Sequence, residues 1–249
     1  MRVGRWGPPV LFGVAVLVAW QLVVVLAGIP SFLLPAPTAI AEQVGASLGV
    51  IVSTAAVTGG NALTGLVAGF VVGVALALLA ARSRLVEALT TPVVLAASAV
   101  PIVALAPVFT TMFGSTTEVA RRLVVAVVVV VPVFVSTARG LRQVQPVHAD
   151  LMTALAATPW QASRFVRLPG AVPFIVTGLR LAAPAAVIAA IVAEYFGGQQ
   201  NGLGSRISSA AANTAYARAW AFVVASIVLG LIFHLAGLLL ERLATRTPR

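Results

Sequence analysis

The sequence of 249 residues contains no cysteine and no lysine, only two histidines, and six acidic side chains against sixteen arginines. Without cysteine there is no disulfide, no thiolate nucleophile and no Cys-bound metal. His148 and His234 are too few for a histidine metal cluster and supply no nucleophile–base constellation for an embedded enzyme. The lack of lysine removes the G-x4-G-K-[ST] phosphate loop, so nucleotide hydrolysis by such a loop is excluded. Charge is the scarcest commodity: 9% of residues carry one, where a soluble domain has about 25%. A soluble enzyme is ruled out.

What fills the space is apolar. Hydrophobic residues make up 60% of the chain and the mean hydropathy is +1.07. At about 20 apolar residues per crossing, the length holds roughly six membrane spans. The reading is an all-α, polytopic membrane helix bundle forming a single domain over 1–249. Spans are expected near 8–28, 56–81, 91–113, 121–138, 172–196 and 216–240. The third is the weakest, since Pro92, Pro101 and Pro107 interrupt it and Ser98, Thr110 and Thr111 dilute it. The first apolar run, Pro8 to Ala27, is longer than a signal-peptide core and ends in no convincing cleavage pattern, so it is expected to be a retained span.

The formal charge of +10 would suggest nucleic acid in a soluble chain. In a membrane protein it reflects the excess of arginine in cytoplasmic loops, and no nucleic-acid partner is expected. With the N-terminus in the cytoplasm, Arg2, Arg5, Arg82, Arg84, Arg139, Arg142, Arg164, Arg167, Arg180, Arg242, Arg246 and Arg249 face in, and Arg121, Arg122, Arg206 and Arg218 face out. Both termini are therefore expected to be cytoplasmic. Arg121 and Arg122 fit least well and are expected to snorkel to the outer headgroups.

Two spans carry a small residue every fourth position. The second reads Asn61, Gly65, Gly69, Gly73, Ala77, Ala81, and the fifth reads Gly178, Ala182, Ala186, Ala190 and then Glu194. Such stripes let another backbone approach closely, although glycine and alanine are common enough here to produce one by composition. Pro132 and Pro184 imply kinks in the fourth and fifth spans. Glu194, the one acidic residue within a predicted span, and Asn61 are the candidates for a translocation path. Near the outer end a solvated carboxylate is the alternative for Glu194, and interhelical hydrogen bonding is the alternative for Asn61 and also for Gln21. Fourteen residues along a helix separate Arg180 from Glu194 by about 21 Å, so those two cannot pair; Arg180 is expected at the inner headgroups or against a loop carboxylate. The glycine-rich stretch 197–215 reads as an external connector.

Between the fourth and fifth spans, residues 139–171 are too polar to cross yet patterned. Leu151 and Leu155 lie at i, i+4, with Met152 and Ala156 beside them, giving a short helix with an apolar strip. Thr158-Pro159-Trp160-Gln161 then supplies an N-cap, a proline at the first helical position and a capping-box glutamine. A second short helix follows, which Leu168-Pro169 is expected to stop. A cytoplasmic partner would cover the strip; the alternatives are the headgroups or the chain's own bundle.

This loop resembles the EAA loop of bacterial ABC-importer permeases: E-A-A, three residues, G, nine residues, I or V, one residue, L-P. Here the register is Asp150-Leu151-Met152, three residues, Ala156, nine residues, Val166, Arg167, Leu168-Pro169. The spacing and the close match; the opening and the Gly position do not. Thr177-Gly178-Leu179-Arg180, Val192 through Gly197, Gly202-Leu203-Gly204, Leu34-Pro35-Ala36-Pro37 and Pro101 through Pro107 are similar to segments of the nitrate/sulfonate/taurine subfamily, so the resemblance covers nearly the whole chain. It implies a type I ABC importer permease fold in the bacterial inner membrane, non-catalytic itself, importing a small solute such as a nitrate-, sulfonate- or taurine-like anion or an aromatic vitamin precursor. It further implies a cytoplasmic ABC ATPase dimer that holds ATP and magnesium, with no cofactor or metal in this chain. The other implied partners are an extracytoplasmic solute-binding protein, docking near 197–215, and a second permease copy, identical or related. Coupling to the ATPase would fall to Asp150, Leu151, Leu155, Ala156, Thr158, Leu168 and Pro169. If the backbone at Ala156 needs positive φ, alanine costs about 1 kcal/mol or more there; if the turn is helical it costs nothing. The degenerate motif suggests one member of an unequal permease pair. A self-contained secondary transporter or channel is the rival, disfavoured by the lack of similar halves and the few acidic residues.

Overall fold

The computed structural model describes residues 7–245, and every regular element in that range is a helix. Arg2, Arg5, Arg246 and Arg249 of the charge assignment lie outside the described residues. The long apolar helices are α1 (Gly7–Leu26), α3 (Leu48–Ala80), α6 (Val119–Arg142), α9 (Leu168–Phe196) and α11 (Tyr216–Thr245). Shorter ones are α2 (Pro37–Ala46), α4 (Arg84–Ser98), α5 (Ile102–Phe113), α7 (Pro146–Ala154), α8 (Pro159–Ala162) and α10 (Leu203–Ala212).

The third predicted span is a broken one. Helices α4 and α5 meet at a bend of 98°. Pro101 has no N–H to continue the helix and pushes Val100 away from helical backbone, so α4 ends at Ser98 and Pro101 caps α5. Together the two still carry the chain from one end of the bundle to the other: Glu87 pairs with Arg142 at the end of α6, while Ala106 packs with Val124 and Ala193 near its start. The second span also begins earlier than expected, at Leu48, and α6 runs on through Arg139 and Arg142. Helices α6 and α9 continue through Pro132, Pro173 and Pro184.

Helices α3, α6 and α9 form the centre, and both small-residue stripes face it. A Cβ at Gly65 would strike Val125 Cβ, and one at Gly69 would stand 2.6 Å from the Ala126 carbonyl oxygen and 2.7 Å from Val129 Cβ. A Cβ at Gly178 would stand 3.0 Å from Ser136 Cβ and 3.2 Å from Val133 Cα, and Ala182, Ala186 and Ala190 are wholly buried. The stripes are thus seams where backbones touch, with dispersion in place of the hydrophobic effect that is missing in lipid. Ala81, at the end of the α3 stripe, is exposed. By contrast α1 buries only Val24 and turns the rest of its apolar surface outward. It touches the body where Trp20 meets Trp220 edge-on and where Gln21 Oε1 accepts from the Thr38 N–H at the start of α2.

The helices define two ends. The starts of α4 and α9, the ends of α3, α6 and α11, and the 143–167 hairpin share one, where Arg82, Arg84, Arg139, Arg142, Arg164, Arg167 and Arg242 gather. Helix α2, the starts of α6 and α11, and residues 197–212 share the other.

Candidate functional site

At the arginine-rich end, α7 and α8 form the predicted hairpin. Pro146 opens α7, and no residue of α7 is buried. Leu151, Leu155, Val147, Trp160 and Phe165 are all exposed, so the apolar strip is uncovered by this chain. Thr158 builds the capping box: its Oγ1 accepts from the Gln161 N–H at 3.3 Å, and its own N–H donates to Gln161 Oε1 at 2.7 Å. Asp150, too, is exposed.

The helix stops one residue before Leu155, and Ala156 stands at φ +50°. The Ala157 N–H reaches back to the Met152 carbonyl at 2.9 Å and the Ala156 N–H to that of Thr153 at 3.0 Å. These two bonds make a Schellman motif with Ala156 in its left-handed position, where glycine is the usual occupant. The same pair of bonds closes α1 around Gly28, at φ +60°, and α10 around Thr214, at φ +55°. Position 156 therefore does need positive φ, and alanine is strained there.

Leu168-Pro169 does not stop the second helix. Residues Ser163–Arg167 form a π-helical turn in which the Leu168 N–H donates to the Ser163 carbonyl, five residues back. The widened turn makes room for a proline that lacks an N–H and would crowd the preceding carbonyls. Helix α8, the π turn and α9 consequently form one continuous rod, Pro159–Phe196.

At the opposite end lies a polar network that hydropathy did not reveal. Arg121 is only 2% exposed. Its guanidinium donates to Glu118 Oε2 at 2.8 Å, to Asn201 Oδ1 at 2.7 Å and to the Gln199 carbonyl. Asn201 Nδ2 donates to Glu118 Oε1 at 2.8 Å, and Gln199 Nε2 donates to the Thr116 carbonyl. Arg121 therefore does not snorkel; a carboxylate three residues away and two amides hold it inside. Arg122 is exposed, but its Nε donates to Asn61 Oδ1 at 3.1 Å, while Asn61 Nδ2 donates to Glu118 Oε2 at 2.7 Å. Partial burial works against the Glu118 charge, but the Asn201 bond, the Arg121 charge and the Asn61 bond outweigh it and hold its carboxyl below the usual carboxylate range.

Glu194 is wholly buried, not solvated. Its Oε2 accepts from Thr58 Oγ1 at 2.8 Å and from the Gly204 N–H at 3.0 Å, and Thr58 Oγ1 in turn accepts from the Leu203 N–H at 2.9 Å. A carboxylate and a hydroxyl thus satisfy the first N–H groups of α10 and sit at its positive end. Glycine is required at 204, because a Cβ there would strike the Ile191 carbonyl, and a Cβ at 202 would displace the Glu194 carboxylate. The expected connector at 197–215 is therefore a tight turn followed by a helix whose Leu203, Gly204 and Ser205 are buried. In this structure Asn61 and Glu194 are both buried, and both tie α3 to its neighbours. Arg180 finds its carboxylate in Glu241 of α11, at 2.7 Å, instead of in the loop; Glu241 also accepts from Thr177 Oγ1 at 2.7 Å. Glu241 was missed because the last helix runs five residues past its hydropathy window, to Thr245.

Residues 69–246 match the family described as binding-protein-dependent transport system inner membrane component. A probable ABC transporter permease protein of Haemophilus influenzae is 31% identical over 82% of this chain and 82% of its own length. The formylaminopyrimidine transport permease protein ThiX of Halalkalibacterium halodurans is 32% identical over 79% of this chain and 78% of its own. The riboflavin transport system permease protein RibX of Chloroflexus aurantiacus is 30% identical over 78% and 72%. Among solved structures, an amino acid ABC transporter chain superposes with a TM-score of 0.63 over 82% of this chain and 95% of that one, at 16% identity, which is a likeness of fold.

Proposed function

The chain belongs to the family of binding-protein-dependent transport system inner membrane components, a permease and not a catalytic subunit, and from that premise we propose how it works. It forms the solute path of an ATP-driven importer, and its hairpin 146–167 is the handle worked by a cytoplasmic ATPase dimer that binds ATP and magnesium. The observation that carries this is the uncovered apolar strip of Val147, Leu151, Leu155, Trp160 and Phe165 at the arginine-rich end. We take that end to be the cytoplasmic one, from the bias of arginine toward the inside, with both termini on that side. The rod Pro159–Phe196 fits the role, since a push on α8 is delivered along one helix to the far end of the bundle.

The solute is proposed to be a neutral heteroaromatic vitamin or precursor in preference to a small anion. Two relatives that share 30–32% identity over most of their own length are named for cargoes of that kind, whereas the taurine transport permease TauC of Escherichia coli is 32% identical over only 50% of its own length. The arginine buried in this structure, Arg121, is already paired with Glu118, which leaves it no charge to offer an anion. A solute-binding protein is proposed to dock over residues 197–212. The strain at Ala156 supports pairing with a second permease that carries glycine there.

The test is purification of the whole assembly with its ATPase and binding protein. ATP hydrolysis and ATP-dependent uptake of riboflavin or a formylaminopyrimidine into proteoliposomes are expected, with uptake of taurine much weaker. Leu151→Asp with Leu155→Asp should release the ATPase from an otherwise folded permease. Uptake that persists without any ATPase would instead make the chain a self-contained transporter, and an active assembly with this permease alone would remove the unequal pair.

A further inference from the structure

Two kinds of contact hold this bundle, and they differ in what it costs to part them. Along α3–α6 and α6–α9 the backbones touch at Gly65, Gly69 and Gly178, where water could not replace what separation would remove. Between α6 and the 197–202 turn the contacts are charged or polar: Arg121 and Glu118 to Asn201, Arg121 to the Gln199 carbonyl, and Gln199 to the Thr116 carbonyl. Such a network gains little on closing, because desolvation offsets the attraction, and hydration returns much of it on opening. The network even leaves positions unspent: Arg121 Nε and Glu194 Oε1 are buried with no partner. The turn lies between two supports, with Arg121 of α6 on one side and, at the end of the rod Pro159–Phe196, Glu194 holding Gly204 on the other.

We propose that Arg121 is the positioning residue of an outer lock, which clasps the 197–202 turn to α6 in the closed form and lets it go when the outer end opens. The lock rests on the importer function proposed above. Opening exchanges the bonds from Arg121 and Glu118 to the turn for water, while the glycine seams stay together as one block. Asn61 and Arg122 keep Glu118 placed for the turn's return.

The chain is free of cysteine, so the clasp can be bridged selectively. Thr116→Cys with Gln199→Cys, joined by a short disulfide-forming bifunctional reagent in the assembled complex, is expected to cut ATP hydrolysis at least tenfold. Dithiothreitol should restore it, and the single-cysteine variants should not respond to the reagent. In parallel, Arg121→Gln or Glu118→Gln should raise hydrolysis severalfold in the absence of binding protein, and the exchanged pair Glu118→Arg with Arg121→Glu should lower it again. A bridged complex that hydrolyses ATP at the unbridged rate overturns the lock while leaving the importer standing. Glutamine variants whose hydrolysis falls in step with the yield of folded complex also overturn it, since they would show a merely structural role. If the unmodified complex hydrolyses no faster than the isolated ATPase, the importer function fails and the lock with it.

Discussion

Replacing Ala156 by glycine should tighten the 146–167 hairpin. At φ +50° an L-residue with a Cβ pays about 1–2 kcal/mol for the left-handed conformation. Glycine escapes that cost but brings back about 0.5–1 kcal/mol of chain entropy in the open state. The balance favours glycine by about 0.5–1 kcal/mol, a factor of about 2–5 in the local opening equilibrium. The hydrogen bonds that report it are those of the Ala156 and Ala157 N–H groups to the Thr153 and Met152 carbonyls. Their amide exchange, read by mass spectrometry on the purified permease, should slow by that factor in Ala156→Gly and quicken in Ala156→Val, whose branched Cβ fits the conformation worse. Ala157→Gly is the control: Ala157 does not have positive φ, so the same mutation one residue along should gain nothing and lose a few tenths of a kcal/mol of order. If Ala156→Gly left exchange unchanged, or matched Ala157→Gly, the left-handed cap would not exist and the account of the degenerate motif would go with it.

Thr214→Gly should stabilise the α10 cap by the same logic and somewhat more, because threonine is β-branched; thermal unfolding in detergent with Gly28→Ala as the opposite change would show it. Gly69→Ala should cost about 1–3 kcal/mol by forcing α3 off α6, whereas Gly49→Ala in the same helix, with nothing near its Cβ, should gain about 0.5–1 kcal/mol; equal melting shifts for the two would contradict the seam. Glu194→Ala should destabilise by about 1–3 kcal/mol, since it strands the Gly204 N–H and the Thr58 hydroxyl in the interior, and Glu194→Gln should recover most of this because its amide oxygen can accept both bonds. For Glu118, whose carboxyl is held below the usual range, the folded form binds its proton less readily than the unfolded one. Its contribution is fully present above the unfolded value of about 4.3 and is lost as pH falls through the lower folded value. Unfolding followed from pH 7 to 3 should lose that acid-side slope in Glu118→Gln.

Spans were readable where apolar runs were long, because burial in lipid imposes one simple demand on composition. The Gly65–Gly69–Gly73 seam and the Thr158 capping box were readable as well, since each depends on residues within a few positions of one another. The outer network was not. Its members come from positions 58, 61, 118, 121, 194 and 199–204, and only the fold sets them together. Arg121 shows the difficulty: an arginine near a helix end is expected to reach headgroups, and nothing local says that Asn201, eighty residues on, will be waiting for it. Even so, one local sign was available. Glu118 precedes Arg121 by three residues, the spacing at which side chains meet on a helix. Leu168-Pro169 misled for the opposite reason. A proline rule stated for α-helices overlooks that a π turn placed just before it can absorb the misfit.

The π turn also bears on how force travels. A stop at Leu168-Pro169 would have left the hairpin hinged on the bundle, free to move without moving the span. The five-residue turn keeps the backbone bonded through Ser163 and Leu168, so α8 cannot tilt without tilting α9. The far end of α9 carries Glu194, which accepts from the Gly204 N–H and from Thr58 Oγ1 of α3, itself the acceptor of the Leu203 N–H, so that the start of α10 is pinned beside the clasped turn. Since the glycine seams resist separation and the charged clasp does not, a tilt of this rod is relieved at the clasp before it is relieved at the seams. A variant that breaks the rod, such as glycine at both Arg164 and Val166, should therefore leave ATPase binding intact while abolishing the effect of bridging Thr116 to Gln199 on ATP hydrolysis. If bridging still blocked hydrolysis in that variant, the motion would be reaching the outer end by another helix.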